Sequence, residues 1–381
     1  MVKVAIVKCD KYEEEKVENA IRKSLEQIGG LKKIIKTGDK VFLKPNFLTA
    51  KTPDEAVTTH PFIIKAVIKC VREVGGIISV GDCPGEVLLG IEKIWEITGV
   101  KKVCDEMGVE LVNLEKSGSK EVVLNNGRRL VIAIPILECD CLISLPKFKS
   151  HTLTGLTGAI KNLFGTIPGL NKASYHRVCK GPADFASVTA DILATVKPKL
   201  AIMDGVIGMD KDGPSAGRIR DIGVIMASYD CVALDTVMSH IVNYPPMKID
   251  TIRVASEQDL GVADLKNIEV VGESLDAVII KDFKMPFTVW KSRIPEFIKR
   301  FYWRQIKIKP YMDEKICTKC GTCAKICPVS AIKWVKGYPK VDYKKCIECL
   351  CCSELCKYKA VELEKSFLIN LWLKSDKPSK F

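Results

Sequence analysis

The chain has 381 residues, 47% hydrophobic and 28% charged, with 17 cysteines, four histidines and a formal charge of +13. Those fractions describe a globular protein with chain enough for two or three domains, and they exclude extensive disorder. The start, MVKVAIVKCDKYEEE, lacks the layout of a signal peptide, and no run of about 18 apolar residues occurs, so neither export nor a spanning helix is expected. A cytoplasmic chain keeps its thiols reduced, so the cysteines imply metal, catalysis or packing rather than disulfides.

In chain order, VKVAIVK (2–8) reads as a strand and residues 13–28 as a helix ended by Gly29-Gly30. VFLKPNF (41–47) reads as a strand, 60–76 as a helix with Pro61 in its first turn, and IISVGD (77–82) as a buried strand. A helix over 88–107, a strand CLISLP (141–146), a helix over 184–196 and a strand LAIMDG (199–205) continue the alternation. Alternating strands and helices predict an α/β fold, a mostly parallel sheet with helices on both faces. Ligands in such sheets lie beyond the carboxyl ends of the strands.

Polar residues gather at those ends. Lys44 and Asn46 follow the second strand, Asp82 closes the third, and Lys147, Lys149 and His151 follow CLISLP. Asp204 follows LAIM, and the glycine- and threonine-rich segment 154–169 adds Lys161 and Asn162. Turn amides of GDCPGE and of 154–169 resemble anion cradles, although no Walker or dinucleotide fingerprint is present. Several lysines in one crevice repel one another unless an anion neutralises them, so a phosphate- or carboxylate-bearing ligand is expected. His60 divides evenly between helix start and site, His176 reads as surface and His240 as core. Cys70 and Cys231 read as packing residues, and Cys83 reads as an incidental small residue, though it is the one body thiol whose turn amides would lower its pKa.

Charge and cysteine are unevenly spread. Residues 285–381 carry a net +12 and residues 1–284 only +1, and nine cysteines lie beyond residue 310. A neutral body argues against nucleic acid as a partner. Cys317, Cys320, Cys323 and Cys327 form C-x2-C-x2-C-x3-C followed by Pro328, and Cys346, Cys349, Cys352 and Cys356 repeat the spacing. This is the bacterial two-cluster run, in which the fourth cysteine of each motif serves the other cluster. Two 4Fe–4S clusters are therefore expected, one on Cys317, Cys320, Cys323 and Cys356, the other on Cys346, Cys349, Cys352 and Cys327. Zinc, the competing reading, takes paired C-x2-C units. The second motif ends in Lys357 where proline is usual, and Cys351 is a ninth thiol, read as non-ligating with competition for a cluster corner as its other reading.

The expected domains are an α/β body (1–284), a basic aromatic connector (285–310), a two-cluster ferredoxin-like domain (311–364) and a C-terminal tail (365–381). The connector reads as a helix docking the cluster domain on the body, with a membrane surface or an acidic partner as its other uses.

FLKPNF (42–47), TTHPFIIKAV (58–67), GGIISVGDCPG (75–85), LISLPKFKSHTLTGLTGAIKNLFG (142–165), MDGVIGMDKDGPSAG (203–217) and SYDCVALD (228–235) stand in order along the body. With these motifs the body resembles the domain-of-unknown-function family 362, here with a C-terminal two-cluster ferredoxin-type extension. The resemblance implies a cytoplasmic iron–sulfur protein and carries no established reaction. It marks Lys44, Asn46, Asp82, Lys147, Lys149, His151, Lys161, Asn162 and Asp204 as candidates.

The function expected is an oxidoreductase that passes electrons from the cluster module to an anionic substrate or cofactor in the body, with a redox protein as partner. Lys147, Lys149 and Lys161 would hold the anion and His151 or Asp82 would supply the proton that such a reduction needs. The alternatives are an electron-transfer or docking subunit without chemistry of its own, and a non-redox enzyme with structural clusters.

Overall fold

The computed structural model describes residues 1–85, 90–169, 171–179, 181–289 and 308–364. The body begins with strands β1 (Val2–Lys8), β2 (Lys40–Pro45), β3 (Ile77–Asp82) and β4 (Glu110–Asn113). A separate hairpin of β5 (Ser119–Val123) and β6 (Arg129–Ala133) follows, then β7 (Cys141–Leu145), β8 (Lys147–His151) and β9 (Gly155–Leu156). The long strands β10 (Leu200–Asp210) and β11 (Arg218–Ser228), and finally β12 (Ile268–Gly272), complete it.

These strands, the hairpin aside, join one ten-stranded sheet in the order β12-β1-β11-β10-β7-β2-β3-β4, with β8 along the far half of β10 and β9 on β8. Pairing is parallel except around β11, which runs antiparallel to both β1 and β10, and between β8 and β9. Alternate side chains serve opposite faces, as the strand period of two requires. Phe42 and Leu142 pack into one apolar cluster, whereas Val41, Leu43 and Ile143 pack into another on the other face. Helices Glu14–Ile28 and Pro61–Glu73 cover the second face, and Pro182–Val196 and Cys231–Ile241 the first. The expected α/β architecture is the observed one.

Three local expectations needed correction. The helix expected over 88–107 is two, Ile91–Ile97 and Val100–Met107, broken at Gly99 with φ 75°. Strand β11 was not anticipated because the polar half of RIRDIGVIMAS masks its apolar end, whose residues from Val224 to Ser228 are buried. Strand β8 is a second strand that the sequence reading leaves unassigned, and all five residues of KFKSH are buried in the sheet.

The cysteine-rich module pairs β13 (Lys309–Met312) with β16 (Val361–Glu364), and β14 (Ile332–Val335) with β15 (Tyr338–Val341), both antiparallel. Helices Thr322–Ile326 and Cys351–Glu354 start within the two cysteine motifs. Most of the expected connector (290–307) and the tail (365–381) lie outside the described residues.

Candidate functional site

The ends of β2 and β3, strand β8 and the middle of β10 meet in a buried polar cluster. Lys44 Nζ lies 2.7 Å from Asp82 Oδ1, and Asp82 Oδ2 accepts from the Phe47 N–H at 2.8 Å. Lys147 Nζ lies 3.0 Å from Asp204 Oδ2, which also accepts from the His60 N–H at 2.9 Å. Tyr12, whose ring stacks on His60 at 3.7 Å, donates its hydroxyl to Asp204 Oδ1 at 2.6 Å and accepts from Lys147. These two lysines are fully buried, and burial pushes both amines down while the carboxylate beside each opposes the shift.

Lys149 differs. Its ammonium donates to Asn46 Oδ1 at 2.8 Å and to the Val57 carbonyl, both uncharged acceptors. Burial, with Lys161 and Lys147 nearby, pushes it down to about 7. Asn162 ties the lysines together. Its Oδ1 accepts from Lys44 at 3.3 Å and from Asn46 Nδ2 at 3.2 Å, and its Nδ2 donates to Ser144 Oγ at 3.0 Å. Lys161 rests its ammonium over the Phe164 and Phe185 rings at 4.9 and 5.4 Å. All nine body residues singled out in the sequence fall in or beside this cluster.

The cluster is closed by a residue that sequence reasoning missed. Glu354, on the module's helix Cys351–Glu354, puts Oε1 2.9 Å from His151 Nε2. His151 Nδ1 accepts from the Leu153 and Thr154 N–H groups at 3.1 and 3.4 Å, so a neutral ring carries its proton on Nε2. Burial lowers His151, opposed by Glu354. Burial would raise Glu354, but His151, Lys161 and His176 outweigh it and hold the carboxyl at about 2. Ser215 Oγ donates to the Glu354 carbonyl, and Lys51 Nζ donates to the Lys357 carbonyl at 3.1 Å. Leu355 comes so close to Gly85 that a Cβ there would lie 2.7 Å from it.

Other expectations changed. The amides thought free to cradle an anion are occupied. Ala159 and Ile160 donate to the Asp235 carboxylate at 2.6 and 3.0 Å, Cys83 to the Gly165 carbonyl and Gly85 to that of Leu48. Gly165 is required by close approach, since a Cβ would lie 2.0 Å from Asp82 Oδ1 and 2.6 Å from Lys44 Nζ. Cys83 is buried, and burial raises its pKa, in keeping with a small packing residue. His176, read as surface, is buried against Phe185 and lowered to about 4 by that burial, whereas His240, read as core, is partly exposed. His60 caps helix Pro61–Glu73 by accepting from the Phe62 N–H, besides stacking on Tyr12.

In the module, Cys317, Cys320, Cys323 and Cys356 line one small cavity, and Cys327, Cys346, Cys349 and Cys352, with Cys351 beside them, line another. The fourth cysteine of each motif thus faces the other motif's cavity. Four thiols set round a cavity fit a cubane. Among the described residues no three His, Cys, Asp or Glu groups converge on a point as a single metal ion requires.

A 4Fe–4S dicluster domain model matches residues 309–357. An uncharacterized polyferredoxin-like protein of Methanocaldococcus jannaschii is 40% identical over 57 residues, 15% of this chain and 20% of that protein. The module is an iron–sulfur domain of the 4Fe–4S kind. A thylakoid-associated protein of Synechocystis sp. is 31% identical over 264 residues, 69% of this chain and 81% of that protein. Among solved structures, the lactate racemase apoprotein of Thermoanaerobacterium thermosaccharolyticum aligns at TM-score 0.39 and 11% identity, covering 61% of this chain and 55% of that one. No helix among the described residues is long and apolar enough to cross a membrane. The model titled domain of unknown function (DUF362) matches residues 41–240, more than half of the chain, and the chain belongs to that family.

Proposed function

We propose that the protein is an iron–sulfur oxidoreductase in which the cysteine-rich module serves a ligand held at the buried cluster of the body. The observation that carries this reading is the contact of Glu354 with His151, which joins a helix of the second cysteine motif to the polar cluster. Cys317, Cys320, Cys323 and Cys356 would hold one cluster, and Cys327, Cys346, Cys349 and Cys352 the other. Bound there, such clusters would supply one electron at a time. Lys161 and Lys149 orient the ligand, with Lys44, Asn46, Lys147, Asn162 and Asp204 as the frame that fixes them. The proton role moves to Lys149. Both Asp82 oxygens are occupied by Lys44 and the Phe47 amide, whereas Lys149 has uncharged partners and a pKa near the working range. His151 holds its proton toward Glu354 and positions that carboxylate. A redox protein partner follows from the module, and nine cysteines outside the two cluster sets, none paired in a disulfide, favour a reducing, cytoplasmic setting.

The second reading, an electron-transfer subunit without chemistry of its own, is favoured by the near-complete burial of Lys44, Lys147 and Lys149, at 0 to 1% exposure. One experiment separates the two. The full-length, cluster-replete protein is reduced anaerobically by dithionite and mixed with oxidised small carboxylates and carbonyl compounds, and the return of the clusters' visible absorbance is followed. Reoxidation by one compound class, slowed by Lys149→Met, is the expected result. Reoxidation by protein carriers alone, unaffected by Lys149→Met, would establish the second reading.

A further inference from the structure

The hairpin of β14 and β15 ends in an exposed tip. Residues 333–337 are exposed throughout, with Trp334 at 50% and Val335 at 48%. Two large apolar side chains left in water side by side mark a contact surface. Lys333 and Lys336 flank them, and Lys319 joins from the first cysteine motif, its ammonium 4.2 Å from the centre of the Tyr338 ring. Lys340 is matched by Glu314, but among the described residues no carboxylate pairs with Lys319, Lys333 or Lys336. The Trp334 ring comes within 3.9 Å of where a Cβ on Gly321 would stand, next to Cys320. Of the eight cluster cysteines Cys320 alone is exposed, whereas Cys352 is buried on the helix whose Glu354 reaches His151. The side of the module that meets the body is thus closed, and the Cys320 side is open.

We propose that the Trp334 tip, with Lys319, Lys333 and Lys336, is the docking surface for an acidic one-electron carrier protein whose carboxylates ring an apolar spot. The inference rests on the reading that the module works with a redox protein, and it states where that partner sits and what charge it bears. A cluster on Cys317, Cys320, Cys323 and Cys356 would bring about −2 with its thiolates, which three exposed lysines outnumber. The chain's own tail (365–381) holds four lysines against Asp376, so charge disfavours it as the occupant. Anionic lipid would also meet tryptophan and lysine, but it makes no use of an open cluster corner beside the contact. One electron crosses that contact, lost by one partner and gained by the other, with no bond made or broken between them.

The test mixes the full-length, cluster-replete protein, reduced by dithionite and freed of excess reductant, with an acidic flavodoxin. Its flavin takes one electron, and a proton from solvent, and stopped-flow absorbance follows the semiquinone. The wild-type rate falls as ionic strength rises. Lys333→Glu/Lys336→Glu lowers it roughly tenfold or more at low ionic strength, while Lys344→Glu/Lys345→Glu, the same charge change at the second motif, lowers it about twofold at most. Trp334→Ala lowers it severalfold at every ionic strength. Carbodiimide joins flavodoxin carboxylates to Lys319, Lys333 or Lys336 of the wild type, which reads the site even where a variant loses its clusters. An unchanged rate in Lys333→Glu/Lys336→Glu, an equal fall in the control pair, cross-links elsewhere, or neither transfer nor cross-linking by the wild type would overturn the proposal. Phosphatidylserine vesicles that capture the wild type but not Lys333→Glu/Lys336→Glu, with equal flavodoxin rates, would assign the tip to a membrane instead. Dithionite bypasses the tip, so reoxidation by small carbonyl compounds without docking here sinks this inference alone, and docking without such reoxidation sinks only the reading of the body.

Discussion

In the α/β body, Lys44 and Lys147 are buried against carboxylates from neighbouring strands of the same sheet, while in the module nine cysteines line two small cavities. The body matches these two charges internally and surrounds them with two large apolar clusters. The module's own apolar cluster centres on Met312, Ile332, Cys352 and Val361, too few residues to hold its strands by packing alone. One region carries its polar centre as part of its core; the other has its core built round something added. The two should therefore respond differently to loss of cofactor, of a charge, or of space.

The largest difference is expected on removing iron and sulfide with a chelator under oxidising conditions. The module should lose its fold while the body keeps its own, because binding energy at such sites is folding energy. Limited proteolysis should then cut within 311–364 and leave 1–284 intact; coincident digestion of both would break the comparison. Next, Asp204→Asn leaves Lys147 buried without its counter-charge and should cost about 3–5 kcal/mol. The double variant Lys147→Met/Asp204→Leu should cost much less, because it removes the pair together, and urea midpoints report both.

The pH response sharpens the contrast between matched and unmatched lysines. Lys149 is lowered from its ordinary value of 10.5 to about 7 in the folded protein. Between about pH 7 and 10.5 the unfolded chain therefore binds more protons than the folded one, so stability rises with pH, by at most about 1.4 kcal/mol per unit from this group. That contribution falls away as pH drops toward 7. Lys149→Met should flatten the slope of unfolding free energy against pH in that window, and an unchanged slope would contradict the assignment. The smallest effect is steric: Gly165→Ala crowds the Asp82–Lys44 pair and should cost about 1–3 kcal/mol, read from the same urea curves.

The cysteine motifs were legible because consecutive short spacings bring the thiols together with little help from the rest of the fold. The body cluster was half legible. Its residues stand at strand ends that the α/β alternation identifies, so Lys44, Asp82 and Asp204 could be placed together from sequence alone. Their pairing could not, because it depends on sheet order: β3 lies beside β2, and β8 lies beside β10. Tyr12 and His176 carried no signal of spacing, and Glu354 lies 203 positions beyond His151, in a different domain. The anion-cradle expectation failed for a related reason. Asp235, the carboxylate that occupies the amides of Ala159 and Ile160, comes from a helix 75 residues downstream of Ile160. KFKSH was the one missed signal plainly visible in the chain, since its alternation of basic and apolar or small residues is a strand pattern with the wrong kind of polarity inside.

That strand binds folding and charge into one specification. Phe148 packs edge-on toward Phe283 in the core while its neighbours Lys147 and Lys149 meet Asp204 and Asn46 on the opposite face. A slip of one residue against β10 would turn every side chain over, sending three basic groups into hydrocarbon and a phenyl ring among carboxylates. Pairing of Asp204 with Lys147 and of Met209 with Lys149, with a bulge between, thus works as a key cut on both edges. Variants that blunt its basic edge should admit alternative alignments of the sheet before they lose the fold.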